Sequence, residues 1–259
     1  MSTPALKMLV PTGSRTLPGS LMSAPGPTTA AIEREMASIY RLYAALACGL
    51  DPEFGLGGNL LYAGELDQPG CRLVRAANIA GAASLAASAD AAVLRQAMRD
   101  GVIDFVVTTL DEALRILKNE IRKRQPVAVG VTASPAAIAK EMAERGVLPD
   151  LLAPDPHSTP AMPELSVFLA RGARRIQAQP LPPGEKFLAL PIPSAWAQRT
   201  AEFDALLLEF LATEDHANRR WLRLAPRYLG RQARQIRSLA CNGETVSKFL
   251  DRMRQALPL

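Results

Sequence analysis

A chain of 259 residues, 48% of them hydrophobic, can bury one large core or two modest ones. Its longest apolar stretch, residues 76–89, carries Asn78 and two serines, and it falls short of the roughly 18 residues that cross a bilayer. The net charge of +5 gathers toward one end: residues 216–237 hold seven arginines and no acid, the pattern of a cationic face.

Residues 1–29 contain five prolines and three glycines and read as an irregular arm. Thr28 or Thr29 can cap a helix over 30–50, where Ile32, Met36, Ile39, Tyr40, Tyr43 and Leu46 share one face. Gly49 and the Asp51-Pro52 pair end it. A glycine-rich approach at 55–58 leads into a short strand at 59–63, a turn at 64–70 and a helix over 71–83. A strand at 84–88 and a helix at 91–99 follow. The run at 104–108 is short, β-branched and the clearest strand. The helix over 110–124 starts acidic (Asp111, Glu112) and ends basic (Arg122, Lys123, Arg124), which suits its dipole. After a strand at 127–131, Ser134 caps the next helix, with Pro135 in its first turn. A strand at 150–153 closes the series.

Short strands alternating with longer helices predict a parallel sheet covered on both faces. Right-handed crossovers make it an α/β, Rossmann-like doubly wound domain. Beyond it come a loop at 154–163 with four prolines, a short helix at 164–171 and an edge strand at 174–178. Residues 180–193, with five prolines, read as a linker. The remainder, 194–259, reads as helical throughout, broken near Asp215, at Pro226 and at Asn242-Gly243, with Ser194 and Thr245 as caps. The chain thus divides into an arm at 1–29, a Rossmann-like domain at 30–179, a Pro-rich linker at 180–193 and an all-helical C-terminal segment at 194–259.

In open α/β sheets ligands bind at the C-terminal ends of the strands. The sequence places Gly64, Glu65, Asp67, Gln68, Gly70, Arg72, Ser88, Asp90, Thr108, Thr109, Thr132, Ser134, Asp155, His157 and Ser158 there. As a set they describe a small-ligand pocket between the strands ending at Ala63 and Val131. Residue by residue they also read as caps and turn formers, since Ser, Thr and Asp collect at such positions anyway.

Several phrases resemble the cofactor-binding domain of the urocanases: 59–64 (NLLYAG), 80–83 (AGAA) leading to 85–90 (LAASAD), 101–114 (GVIDFVVTTLDEAL), 127–131 (VAVGV) and 144–150 (ERGVLPD). They keep the family's order and spacing from about residue 40 to residue 157. The resemblance implies a Rossmann-like fold, tightly bound NAD acting as an electrophile, and hydration of urocanate. The residues that would hold NAD are largely lost. The family's first turn is nearly continuous glycine, so that backbone can close on a pyrophosphate. Here residues 65–72 read ELDQPGCR, with one glycine, and with Glu65 and Asp67 where phosphates would sit. The family's ribose-binding glutamate matches Ser88, with Asp90 two residues on. Its Gly-Asn pair matches Ala133-Ser134, and its loop after the fifth strand matches the segment holding Asp155 and His157. The family's catalytic flanks have no counterpart in this chain, so the resemblance carries fold further than activity.

Neither histidine, His157 nor His216, has a second His or Cys at ligand spacing, so no metal site is expected. His157 beside Asp155 and Ser158 is either an acid/base group or part of a solvated loop. Cys48, Cys71 and Cys241 are odd in number and unpaired in spacing. They fit small hydrophobes in a reducing, cytoplasmic chain with no secretory leader or membrane span. Arg220, Arg223, Arg227, Arg231 and Arg234 recur every three or four residues, with Trp221, Leu224, Tyr228 and Ile236 toward the core. That stripe, within an Arg219–Arg237 face, is either solvated or a dock for an anionic partner. Three functions stay open: a binder of a small anionic metabolite, a divergent lyase of the urocanase class, and a non-catalytic interaction protein. A homo-oligomer is compatible with each.

Overall fold

The computed structural model describes residues 29–48, 51–154, 162–178, 180, 181, 183–192, 196–230 and 236–256. Residues 1–28 of the expected arm, Gly49, Asp155, His157, Ser158, Ser194, Arg231 and Arg234 lie outside the described residues.

The chain opens with α1 (Thr29–Ala47) and then alternates. β1 (Leu60–Glu65), α2 (Gln68–Ala80), β2 (Ala83–Ser88) and α3 (Ala91–Arg99) come first. β3 (Phe105–Val107), α4 (Leu110–Arg122), β4 (Ala128–Thr132), α5 (Pro135–Glu144), β5 (Leu151–Leu152), α6 (Pro163–Ala170) and β6 (Arg174–Arg175) follow. The six strands form one parallel sheet in the order β3-β4-β2-β1-β5-β6. This is the doubly wound α/β architecture that the alternation of elements predicts.

The sheet order fixes where the helices lie. Connections through α2 and α3 run toward the β3 edge, and those through α4, α5 and α6 run back. With right-handed crossovers the two sets fall on opposite faces. The cores agree. Leu61, Ala63, Ala86 and Ala128 pack with Leu73 and Val74 of α2 and with Leu94 and Ala97 of α3. Leu60, Tyr62, Leu85, Val129 and Val131 pack with Leu110 and Leu114 of α4, Ile138 and Met142 of α5, and Phe168 of α6.

The first face carries a second layer. It consists of α1 with β7 (Glu185–Pro191), α7 (Thr200–Glu209), α8 (His216–Tyr228), β8 (Ile236–Asn242) and α9 (Gly243–Ala256). On α1 the expected face is the buried one: Met36, Ile39, Tyr40, Tyr43 and Leu46 all lie in the core. The Tyr40 hydroxyl donates to Asn218 Oδ1 at 2.7 Å, and the Tyr43 hydroxyl donates to the Ala217 carbonyl at 2.7 Å. Trp221 of α8, Phe203 of α7 and Phe249 of α9 join the same continuous cluster as the first face of the sheet.

One buried cation ties this layer to the sheet. The Arg220 guanidinium enters between Gly55 and Gly81, where added Cβ atoms would lie 2.7 Å from its Cζ and 2.6 Å from its Nη2 respectively. Nε donates to the Ile79 carbonyl at 2.9 Å and Nη1 to the Glu53 carbonyl at 3.4 Å. A positive charge thus closes the C-terminal end of α2, where orphan carbonyls and the helix dipole favour it. Burial pushes the Arg220 pKa down, with the like charge of Arg223 acting in the same direction.

The structure departs from the sequence reading in four places. The stretch expected as a linker holds β7, because its prolines stand at or outside the strand ends while Phe187, Leu188, Ala189 and Leu190 between them pair with β8. The C-terminal part is helical in α7, α8 and α9 but also contains β8. Six of that strand's seven residues are buried, so no alternation marks it in the sequence. Pro226 does not break α8, which continues to Tyr228. Asn242, not Thr245, supplies the cap of α9, its Oδ1 accepting from Thr245 N at 2.9 Å. Among the described residues no helix is long and apolar enough to cross a membrane.

Candidate functional site

The six strands of the sheet end at Glu65, Ser88, Val107, Thr132, Leu152 and Arg175. β1 and β5 are neighbours whose outgoing connections run in opposite directions, so the crevice of this sheet lies between them. The crevice expected between the ends of β1 and β4 does not form. β2 intervenes, with Ala87 paired to both Glu65 and Val131.

At the start of α2 the helix closes on itself. Asp67 is its N-cap, and Oδ1 accepts from Gly70 N at 2.8 Å. Cys71 N donates to the Asp67 carbonyl at 2.8 Å, and Pro69 has no N–H to offer. Gly70 permits a close approach of another kind. A Cβ there would lie 2.0 Å from the Glu65 carbonyl oxygen, so the glycine lets the first helical turn press on the strand end. Gly64, at φ +73°, follows a register shift between Tyr62 and Gly64, after which β1 resumes its pairing with β2 at Ala86 and Ala87. Arg72 turns away from the crevice to α1, where Nη2 meets Glu35 Oε2 at 2.6 Å. That hydrogen bond raises the Arg72 pKa.

The other helix starts are closed in the same manner. Asp90 caps α3, accepting from Ala92 N at 2.7 Å, and the buried Ser88 accepts from Asp90 N at 3.4 Å. Thr109 caps α4, accepting from Glu112 N at 3.3 Å, while Glu112 Oε2 accepts from Thr108 N at 3.0 Å. This reciprocal box holds the Glu112 carboxyl below its ordinary range, through the Thr108 N–H first. Ser134 caps α5, accepting from Ala137 N at 3.3 Å. Thr132, half-buried, pairs in register with Ser88.

One mouth residue has no counterpart in the sequence reading. The Tyr62 hydroxyl donates to the Pro135 carbonyl at 2.6 Å, pinning the first turn of α5 onto β1, and burial pushes its pKa up. A lone tyrosine inside an apolar strand was the available signal.

Taken together, the ends of β1 to β4 and the helix starts after them present Glu65, Asp67, Asp90 and Glu112, with Arg72 already held by Glu35, while Arg175 ends β6 beside Leu152 of β5. The α2 start has lost one amide donor to Pro69 and has a second occupied by Asp67. These residues do not fit a dinucleotide pyrophosphate, which needs free N–H groups and no carboxylate beside them. Among the described residues no group of three or more His, Cys, Asp or Glu is placed to hold a metal ion.

The arginine-rich segment is not one exposed stripe. Arg220 is buried against α2, and Arg237, on β8 and also buried, pairs with Asp204 through an Nε–Oδ1 contact of 2.6 Å. Arg219 donates from Nη1 to the Leu208 and Leu211 carbonyls at 2.9 and 3.2 Å, closing the end of α7. Arg227 lies over the Tyr228 ring, 5.4 Å from its centroid. Arg223 is exposed.

In comparison with known families, residues 56–161 match the model of the urocanase Rossmann-like domain. That span holds β1 to β5 with the helices between them, the part whose strand-end geometry is described above. Residues 56–161 of this chain are a urocanase Rossmann-like domain.

Proposed function

We propose that the protein uses its urocanase Rossmann-like domain as a scaffold for binding a small anionic metabolite, and that it neither carries NAD at the sheet mouth nor hydrates urocanate. One observation carries the negative half: the Asp67 carboxylate sits on the Gly70 N–H, where a pyrophosphate would have to be received. Pro69 and the diversion of Arg72 to Glu35 add to it. The positive half rests on the chain's net charge of +5 and on arginines that the C-terminal layer leaves exposed.

Calorimetric titration with millimolar NAD should give no saturable heat, and micromolar affinity would overturn the reading. Urocanate mixed with the purified protein should keep its near-ultraviolet absorbance. Loss of that absorbance would place the chain among the lyases of the urocanase class instead.

A further inference from the structure

α8 is anchored on its inner side by Arg220 and Trp221, which leaves His216, Arg219 and Arg223 along another side at helical spacing. These three border an open cleft of about 270 Å³ between the end of α7, the turn after α1 and α8 itself. Its remaining walls are Pro52, Leu208 and Thr213. Among the described residues no carboxylate lines it. Of the acids on the flanking segments, Asp51 and Asp215 are engaged elsewhere, and Glu53, Glu209 and Glu214 are not among the residues that line the cleft. Asp51 turns Oδ1 onto the Glu53 and Phe54 amides at 2.9 and 2.7 Å. Asp215 accepts from Asn218 N at 3.0 Å and from its Nδ2 at 2.8 Å.

Arg219 is held in place there. Its Nη1 hydrogens go to the Leu208 carbonyl of α7 and to the Leu211 carbonyl just beyond it, which fixes the guanidinium plane and leaves Nε and Nη2 as donors. Arg223 makes no ion pair among the described residues. A fixed arginine, a second arginine one turn on, an imidazole and a threonine hydroxyl form a donor set for a tetrahedral oxyanion.

We propose that this cleft is an anion site that receives the phosphate group of a small phosphorylated metabolite. The assignment rests on the anion-binding reading above and gives it a location away from the mouth of the parallel sheet. Arg219 orients the anion, while Arg223 and His216 supply charge from the open side.

Inorganic phosphate is the probe. A His157→Gln variant leaves His216 as the single imidazole, so its C2 proton resonance reports on the cleft while calorimetry reports total uptake. The resonance should move saturably with phosphate. Arg223→Ala should weaken that binding at least about tenfold, as expected for losing a hydrogen bond between charged groups. Arg95→Ala, which removes the same charge from an exposed site on α3, should leave it unchanged. Equal weakening by both substitutions would reduce the effect to net charge and overturn the site. Saturable phosphate uptake with a still His216 resonance would overturn the site and spare the anion-binding reading. No uptake at all would overturn both.

Discussion

The mouth of the parallel sheet and the corner between α7 and α8 both place polar side chains beside helix ends, with opposite results. At the mouth, α2, α3, α4 and α5 each begin with a side chain that accepts from the helix's own amides: Asp67, Asp90, Thr109 and Ser134. At the corner, Arg219 closes the C-terminal end of α7 and still has donors left, and Arg223 stands beside it over a cleft. A fold determines where strands end and helices begin. The cap residues then decide whether those ends are open to a ligand. In this chain the caps occupy amides at the helix starts of the mouth, while Arg219 and Arg223 border a cleft at the corner.

The largest effect is expected from the anchor between the two regions. Arg220→Met removes the donors that meet the Ile79 and Glu53 carbonyls. It should lower stability by about 2–4 kcal/mol, since buried acceptors are left unpaired. A loss below about 1 kcal/mol in guanidinium unfolding would mean that apolar packing alone holds the corner on the sheet.

Alkaline pH should come next. Burial pushes the Cys241 thiol up from 9.0 to about 11, and it raises Tyr40, Tyr43 and Tyr62 above their ordinary 10.0. The unfolded chain therefore releases these protons first. Their contribution to stability is complete below pH 9 and falls as pH rises through the folded values. The denaturation midpoint should drop between pH 9 and 11, and Cys241→Ala should remove the earliest part of that drop. Because Cys241, Tyr40 and Tyr43 belong to the core joining the corner to the sheet, a midpoint indifferent to Cys241 would place the alkaline weakness elsewhere.

Smaller effects belong to the caps. Asp67→Ala should cost about 1 kcal/mol and Ser134→Ala about 0.5 kcal/mol, the difference following the shorter of the two cap bonds. Equal costs in a thermal melt would remove the argument that Asp67 holds its helix start more firmly than the others do.

The Ser134 cap was legible in the sequence because a serine before an apolar period marks a helix start, whereas Asp67 reads as part of a turn at 64–70 and the helix as starting at Cys71, three residues late. The α3 bounds and the polarity of α4 were legible as well. Three things were not. Strand order is absent from local periodicity, so the insertion of β2 between β1 and β4 could not be read. Arg220 looks like one more exposed arginine, because its burial depends on Gly55 and Gly81, far away along the chain. β8 is buried on both faces, and its pairing with β7 across 44 residues of sequence, from Ile192 to Gln235, leaves no local mark. A list of polar positions at strand ends does not say that Asp67, Asp90, Thr109 and Ser134 each accept from an amide of their own helix.

The central claim is that the α2 start is closed by its own carboxylate. The most direct test is the Gly70 amide resonance in the full chain during titration with NAD. The account predicts that it stays still at millimolar NAD, because Asp67 already occupies that N–H. A saturable shift of Gly70, with Asp67 displaced from it, would contradict the account.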